Sequence, residues 1–146
     1  MIQRIQSLFL LLAGAGSLSL FALPFATTQD SVASSPLLND AVFNLNDNII
    51  LLLLFVLGGL LSIGAIFLFK NRTLQMRLAR ISFIANLLGM VVVAFLYLND
   101  AVNQGNAEPQ DGVGAYMPIL SMVLLFLAIR YIKKDDSIVR SMDRLR

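Results

Sequence analysis

The chain has 146 residues, 58% of them hydrophobic and 14% charged, against about 45–50% and about 25% in soluble domains. A soluble fold of this length cannot hide that much apolar surface, so composition excludes one and points to a membrane. The absence of Cys, His and Trp excludes disulfides, thiolate or imidazole metal sites and histidine general-base catalysis. The net charge of +2 sits beside apolar spans, with no basic domain of interleaved aromatics, so nucleic acid is not an expected partner.

Crossing a hydrocarbon core about 30 Å thick takes roughly 20 apolar residues, and four stretches are long enough. The first, Ser7 to Ala26, follows Arg4. A signal peptide is the alternative reading, but the apolar run is longer than such peptides use, and Pro24 sits badly for cleavage after Ala26. The second, Ile49 to Phe69, carries no charge and inserts without help. The third, Ile81 to Leu98, is preceded by Leu74, Leu78 and Ile81 at helical spacing, so its helix extends back through the basic 70–80 connection with Asn71 or Thr73 as N-cap. The fourth, Ala115 to Ile132, contains Pro118 in its first turn, where no amide partner is needed. Tyr116 and Tyr131 flank it as interfacial anchors.

All basic residues fall in three stretches: Arg4; Lys70, Arg72, Arg77 and Arg80; and Arg130, Lys133, Lys134, Arg140, Arg144 and Arg146. The other two connections, 27–48 and 99–114, hold Asp30, Asp40, Asp47, Asp100, Glu108 and Asp111 and no Lys or Arg. The positive-inside rule then puts both termini in the cytoplasm. The expected fold is an all-α membrane protein with one domain over 1–146: a four-transmembrane-helix bundle over 7–26, 49–69, 81–98 and 115–132. In the tail, 133–146, Ile138, Met142 and Leu145 repeat at helical spacing, which predicts a short amphipathic helix lying on the inner surface. Leu37, Leu38, Val42, Phe43 and Leu45 in the first outer connection are expected against the membrane surface or the helix ends, and 99–114 reads as a flexible Asn/Gly-rich turn.

Apart from Arg130, two residues from the end of the fourth, no acidic or basic residue lies in the interiors of the four spans, although proton relays and ion-coupled carriers normally need one. Asn86 is the most polar side chain within them and reads first as an interhelical contact, second as a ligand group. Small residues four apart, Ala13 with Ser17, Gly58 with Ser62 and Ala85 with Gly89, permit close packing within the bundle or against a partner. The outer carboxylates lack calcium-loop spacing and read as a solvated acidic face. Asn71-Arg72-Thr73 matches the glycosylation pattern but falls on the inner side, where it reads as a helix start. No catalytic, cofactor-binding or metal-binding set emerges.

Three stretches, MIQRIQSLFLLLA, FKNRTLQMRLARI and YMPILSMVLLFLAIRYIKKDDSIVRSMDRLR, are similar to those of a family of four-span inner-membrane proteins of Bacteroidetes, domain of unknown function 4293. The resemblance implies the same four-span architecture with inner termini, in a bacterial inner membrane, and brings no activity or cofactor. Its distinctive residues lie on the inner side, and it implies that Arg72 or Arg77 pairs with Asp135 or Asp143.

Two functions are therefore expected. One is a non-enzymatic accessory or scaffold subunit of an inner-membrane assembly, in which Arg72, Arg77, Lys133, Lys134, Arg140 and Arg144 dock a membrane-protein partner, a second copy or anionic lipid. The alternative is a small-solute or lipid carrier or channel, formed as an oligomer, with a path near Asn86, Ser62 and Ser121.

Overall fold

The computed structural model describes residues 2–100 and 109–143, the side chains of residues 2–4, 140, 142 and 143 excepted. Four helices form the body: α1 (Ile2–Leu18), α2 (Ile49–Phe67), α3 (Arg72–Asp100) and α4 (Met117–Asp143). Helices α2, α3 and α4 are long and apolar enough to cross a membrane, and the apolar helix at the start is shorter. Each helix packs on two neighbours, α1 on α2 and α4, and α3 on α2 and α4.

The helix of the first expected span stops earlier than its apolar run. Helix α1 ends at Leu18, a 3-10 turn covers Ser19–Phe21, and Ala26 already belongs to a strand. Pro24 supplies no amide and biases Leu23 away from helical geometry, while Ser19 Oγ donates to the Gly16 carbonyl at 2.7 Å. Helix α2 starts on Asn48, whose Oδ1 accepts from the Ile50 amide at 2.8 Å, as an N-cap should. Helix α3 starts where its spacing predicts: Asn71 Oδ1 accepts from the Leu74 amide at 3.2 Å.

The tail is a second departure from expectation. Instead of a separate helix on the inner surface, residues 133–143 continue α4 without a break, because no glycine or proline interrupts Ile119–Asp143. At 27 residues this helix is about 40 Å long, more than a hydrocarbon core requires. Of the expected stripe, Ile138 is 39% exposed, while Leu145 and the side chain of Met142 lie outside the described residues.

The structure is mostly helical with four helices, as expected, but the two acidic connections also fold onto each other. Three two-residue strands, β1 (Ala26–Thr27), β2 (Val42–Phe43) and β3 (Gln110–Asp111), form an antiparallel sheet in the order β2-β1-β3. The register pairs Ala26 with Phe43 and Asp111. The apolar residues of the first connection lie against the helix ends: Leu38, Phe43 and Leu45 are buried with Leu20, Phe25, Leu51 and Phe55. A second apolar cluster at the opposite end joins Leu10, Ala13, Ala65, Ala79, Leu125, Ala128 and Ile132.

Nor are all the carboxylates of the sheet end solvated. Asp100, at the end of α3, is 4% exposed and accepts from the Ser35 hydroxyl, and Ser35 Oγ in turn accepts from the Leu38 amide at 3.0 Å. Asp47 Oδ2 accepts from the Asn44 amide at 2.6 Å and closes a capping box. Burial pushes the Asp47 carboxyl above its ordinary 3.8; the Asn44 amide opposes the rise and Asp40 adds to it. A carboxyl whose folded value is raised stabilises the fold below its unfolded value and loses that contribution as pH rises through the folded one. Thermal unfolding of Asp47→Asn is therefore expected to lose part of the wild-type decline in midpoint as pH rises from 3.8 through that raised value.

Candidate functional site

The charge partition of the sequence is preserved along the bundle. Lys70, Arg72, Arg77, Arg80, Arg130, Lys133 and Lys134 gather where α2 and α4 end and α3 begins, and Asp30, Asp40, Asp47, Asp100 and Asp111 gather at the sheet end, while Glu108 lies outside the described residues. The sequence Lys133-Lys134-Asp135-Asp136 is neutral in sum, but helical phase separates its signs. Asp135 turns inward, where its Oδ2 meets Arg72 Nε at 3.1 Å. That contact is an ion pair by distance without an aligned hydrogen bond. Asp136 lines a cleft of about 590 Å³ with Phe69, Lys70, Asn71, Arg72 and Thr73. Lys133 and Lys134 point outward and are exposed.

Helix α4 is held upright at this end by α1 and α3. Gln6, 3% exposed, donates from Nε2 to the Tyr131 carbonyl at 3.1 Å, and the Phe9 ring stacks on Tyr131 with centroids 5.6 Å apart. Gln75 of α3 is also buried here. Neither Gln6 nor Gln75 is singled out by composition; the signal for their burial is a position one helical turn from apolar neighbours, Leu10 and Ala79, that are themselves buried.

Of the candidate docking residues, Arg72 is engaged with Asp135, while Arg77, Lys133 and Lys134 are exposed. Arg140 lies within α4, and Arg144 falls outside the described residues. Of the expected pairs, the structure makes Arg72 with Asp135.

Asn86 lies far from this surface, in the bundle interior. Its Nδ2 donates to the Ser82 carbonyl at 2.9 Å, and its Oδ1 accepts from Ser17 Oγ at 2.8 Å. Ser82 Oγ donates to the Gly58 carbonyl at 2.6 Å, and Ser62 Oγ donates to the Leu10 carbonyl at 2.7 Å. Three helices are thereby joined by side chains that bond across their contacts. A Cβ at Gly58 would lie 2.6 Å from Asn86 Nδ2, so the amide fits only because position 58 has no side chain. The six small residues of the spaced pairs all face inward. Ser121 Oγ, across from Gly16, is buried and has no hydrogen-bond partner.

Among the described residues, no group of three or more carboxylates stands close enough together to hold a metal ion. A family model described as domain of unknown function (DUF4293) matches residues 2–145. No curated protein and no solved structure matches the chain.

Proposed function

The chain belongs to the DUF4293 family, and we propose that it serves as a non-enzymatic accessory or scaffold subunit of a larger assembly in a bacterial inner membrane. In this reading both termini are cytoplasmic by the positive-inside rule, and α1 with its 3-10 turn is the fourth crossing, its short apolar length met by local thinning of the bilayer. The basic end is the working surface.

The observation that carries the proposal is the division of Lys133-Lys134-Asp135-Asp136. With Asp135 turned onto Arg72, Asp136 lining the cleft beside Lys70 and both lysines exposed, α4 presents mainly positive charge outward. Orientation alone needs only the number of charges; it does not need the neighbouring acids to be turned away. Complementary charge of this kind selects a partner and speeds its encounter.

Purification in mild detergent is expected to recover the chain with a second protein. Lys133→Glu with Lys134→Glu should weaken that association by tenfold or more and leave the helical content of the bundle unchanged. A chain recovered alone, or an association indifferent to both substitutions, would refute the docking role. The carrier reading would route solute past Asn86, Ser62 and Ser121, each of which is fully buried. The first two commit their polar groups to hydrogen bonds inside the bundle, which favours the accessory role.

A further inference from the structure

A groove of about 430 Å³ runs between α3 and α4, lined only by apolar side chains, among them Phe83 and Met90 of α3 and Ile119, Val123 and Phe126 of α4. It faces outward: Ile119, Val123 and Phe126 are each exposed. Followed toward the basic end, the same helix faces change from apolar to cationic. On α4, Arg130 lies four residues after Phe126 and seven after Val123, and Lys133 lies seven after Phe126; both spacings return to one face. On α3, Arg80 precedes Phe83 by three residues, and its Nη2 lies 3.1 Å from Met76 Sδ, so the guanidinium extends along the helix toward the basic end.

The two helices are antiparallel, and their register is fixed at two heights. Arg72 meets Asp135, and Phe83 and Met90 share the groove with Phe126 and Ile119, which sets Arg80 within a helical turn of Arg130. Arg80, Arg130 and Lys133 are exposed, and among the described residues no carboxylate forms an ion pair with any of them. The nearby acids, Asp135 and Asp136, face Arg72 and the cleft beside Lys70.

We propose that the α3–α4 seam is a binding site for one anionic phospholipid, with an acyl chain in the groove and the phosphate held among Arg80, Arg130 and Lys133. Basic pockets between membrane helices at the inner face take such headgroups. The methionine in the wall suits a flexible chain, because its thioether adapts to irregular shapes. A helix of a second copy fits less well: close helix contact needs small residues on the walls, and those named above are aromatic, branched or Met. The site requires a bilayer but no protein partner; it shares Lys133 with the docking surface, and Arg80 and Arg130, which docking does not use, separate the failure of one from that of the other.

The test is native mass spectrometry of the full chain in mild detergent, titrated with phosphatidylglycerol and with phosphatidylcholine of the same acyl chains. One phosphatidylglycerol is expected to bind at least tenfold more tightly than phosphatidylcholine. Arg80→Gln, Arg130→Gln and Lys133→Gln should each weaken it about fivefold and leave phosphatidylcholine unchanged, and Lys70→Gln should change neither lipid. Filling the groove with Val123→Trp, or with Ile119→Trp if the first variant melts early, should weaken both lipids. Equal affinity for the two lipids would overturn the proposal, as would charge variants without effect, a Lys70→Gln loss as large as that of Arg130→Gln, or a filled groove that still binds phosphatidylglycerol as the wild type does.

Discussion

Phe55→Ala is expected to lower the stability of the fold by about 3–5 kcal/mol, the usual cost of emptying a buried phenylalanine site. Phe55 is fully buried near the middle of α2, its ring 5.9 Å from that of Phe25. Phe25 in turn lies 5.3 Å from Phe43 of the sheet, so Phe55 ties α2 to the sheet. On its other side the ring lies against Gly89 of α3: a Cβ there would come within 2.7 Å of the Phe55 ring. Neighbours on both sides are fixed by the sheet and by α3, so the cavity cannot collapse cheaply. Thermal unfolding in mild detergent should show the loss for Phe55→Ala and little change for Leu57→Ala, whose side chain is 49% exposed on the outside of the same helix. Similar losses for both would mean that Phe55 is not a core residue.

Gly58→Val is expected to cost about 1–3 kcal/mol from overpacking. The atom in the way is Asn86 Nδ2, 2.6 Å from a Cβ at position 58. A flexible side-chain end would normally move aside, but this amide is fixed by bonds to Ser17 and to the Ser82 carbonyl. Relief by rotation therefore breaks those bonds, each worth about 0.6 kcal/mol on average in a membrane bundle. Asn86→Ala alone should be destabilising. In the Asn86→Ala background, Gly58→Val should cost less than it does in the wild type, since residues in contact are not additive. A double-mutant cycle on unfolding free energy measures this directly, and strict additivity would rule out the steric pairing.

Long-range features were legible where a single physical signal dominated. Apolar length and the charge partition located α2, α3 and the basic end, and the Asn71 side chain with the Leu74 spacing marked the start of α3. The sheet was not legible, because two-residue strands offer no alternation to read, and their pairing depends on connections far apart in sequence. The end of α1 is not legible because apolar composition continues past Leu18 through Phe25 while Pro24 and the sheet take over the backbone. Asp100 looked like a solvated acid because nothing in its neighbourhood announces Ser35, 65 residues away. At the candidate site, the residue types were readable but their direction was not. Lys133-Lys134-Asp135-Asp136 acquires an outward sign only once α4 is known to be continuous and Arg72 is known to draw Asp135 inward.

That outward sign is what the proposed function depends on, and crosslinking within the membrane tests it most directly. The chain has no cysteine, so one introduced at Ser137, exposed on α4 beyond the lysines, is the only thiol present. The account predicts adducts from position 137 to one recurrent protein other than this chain, reduced by Lys133→Glu with Lys134→Glu, and no such adduct from a cysteine at Ser34 of the sheet end. Adducts to the same protein from Ser34, or a yield from Ser137 that is unchanged when both lysines are reversed in charge, would contradict it.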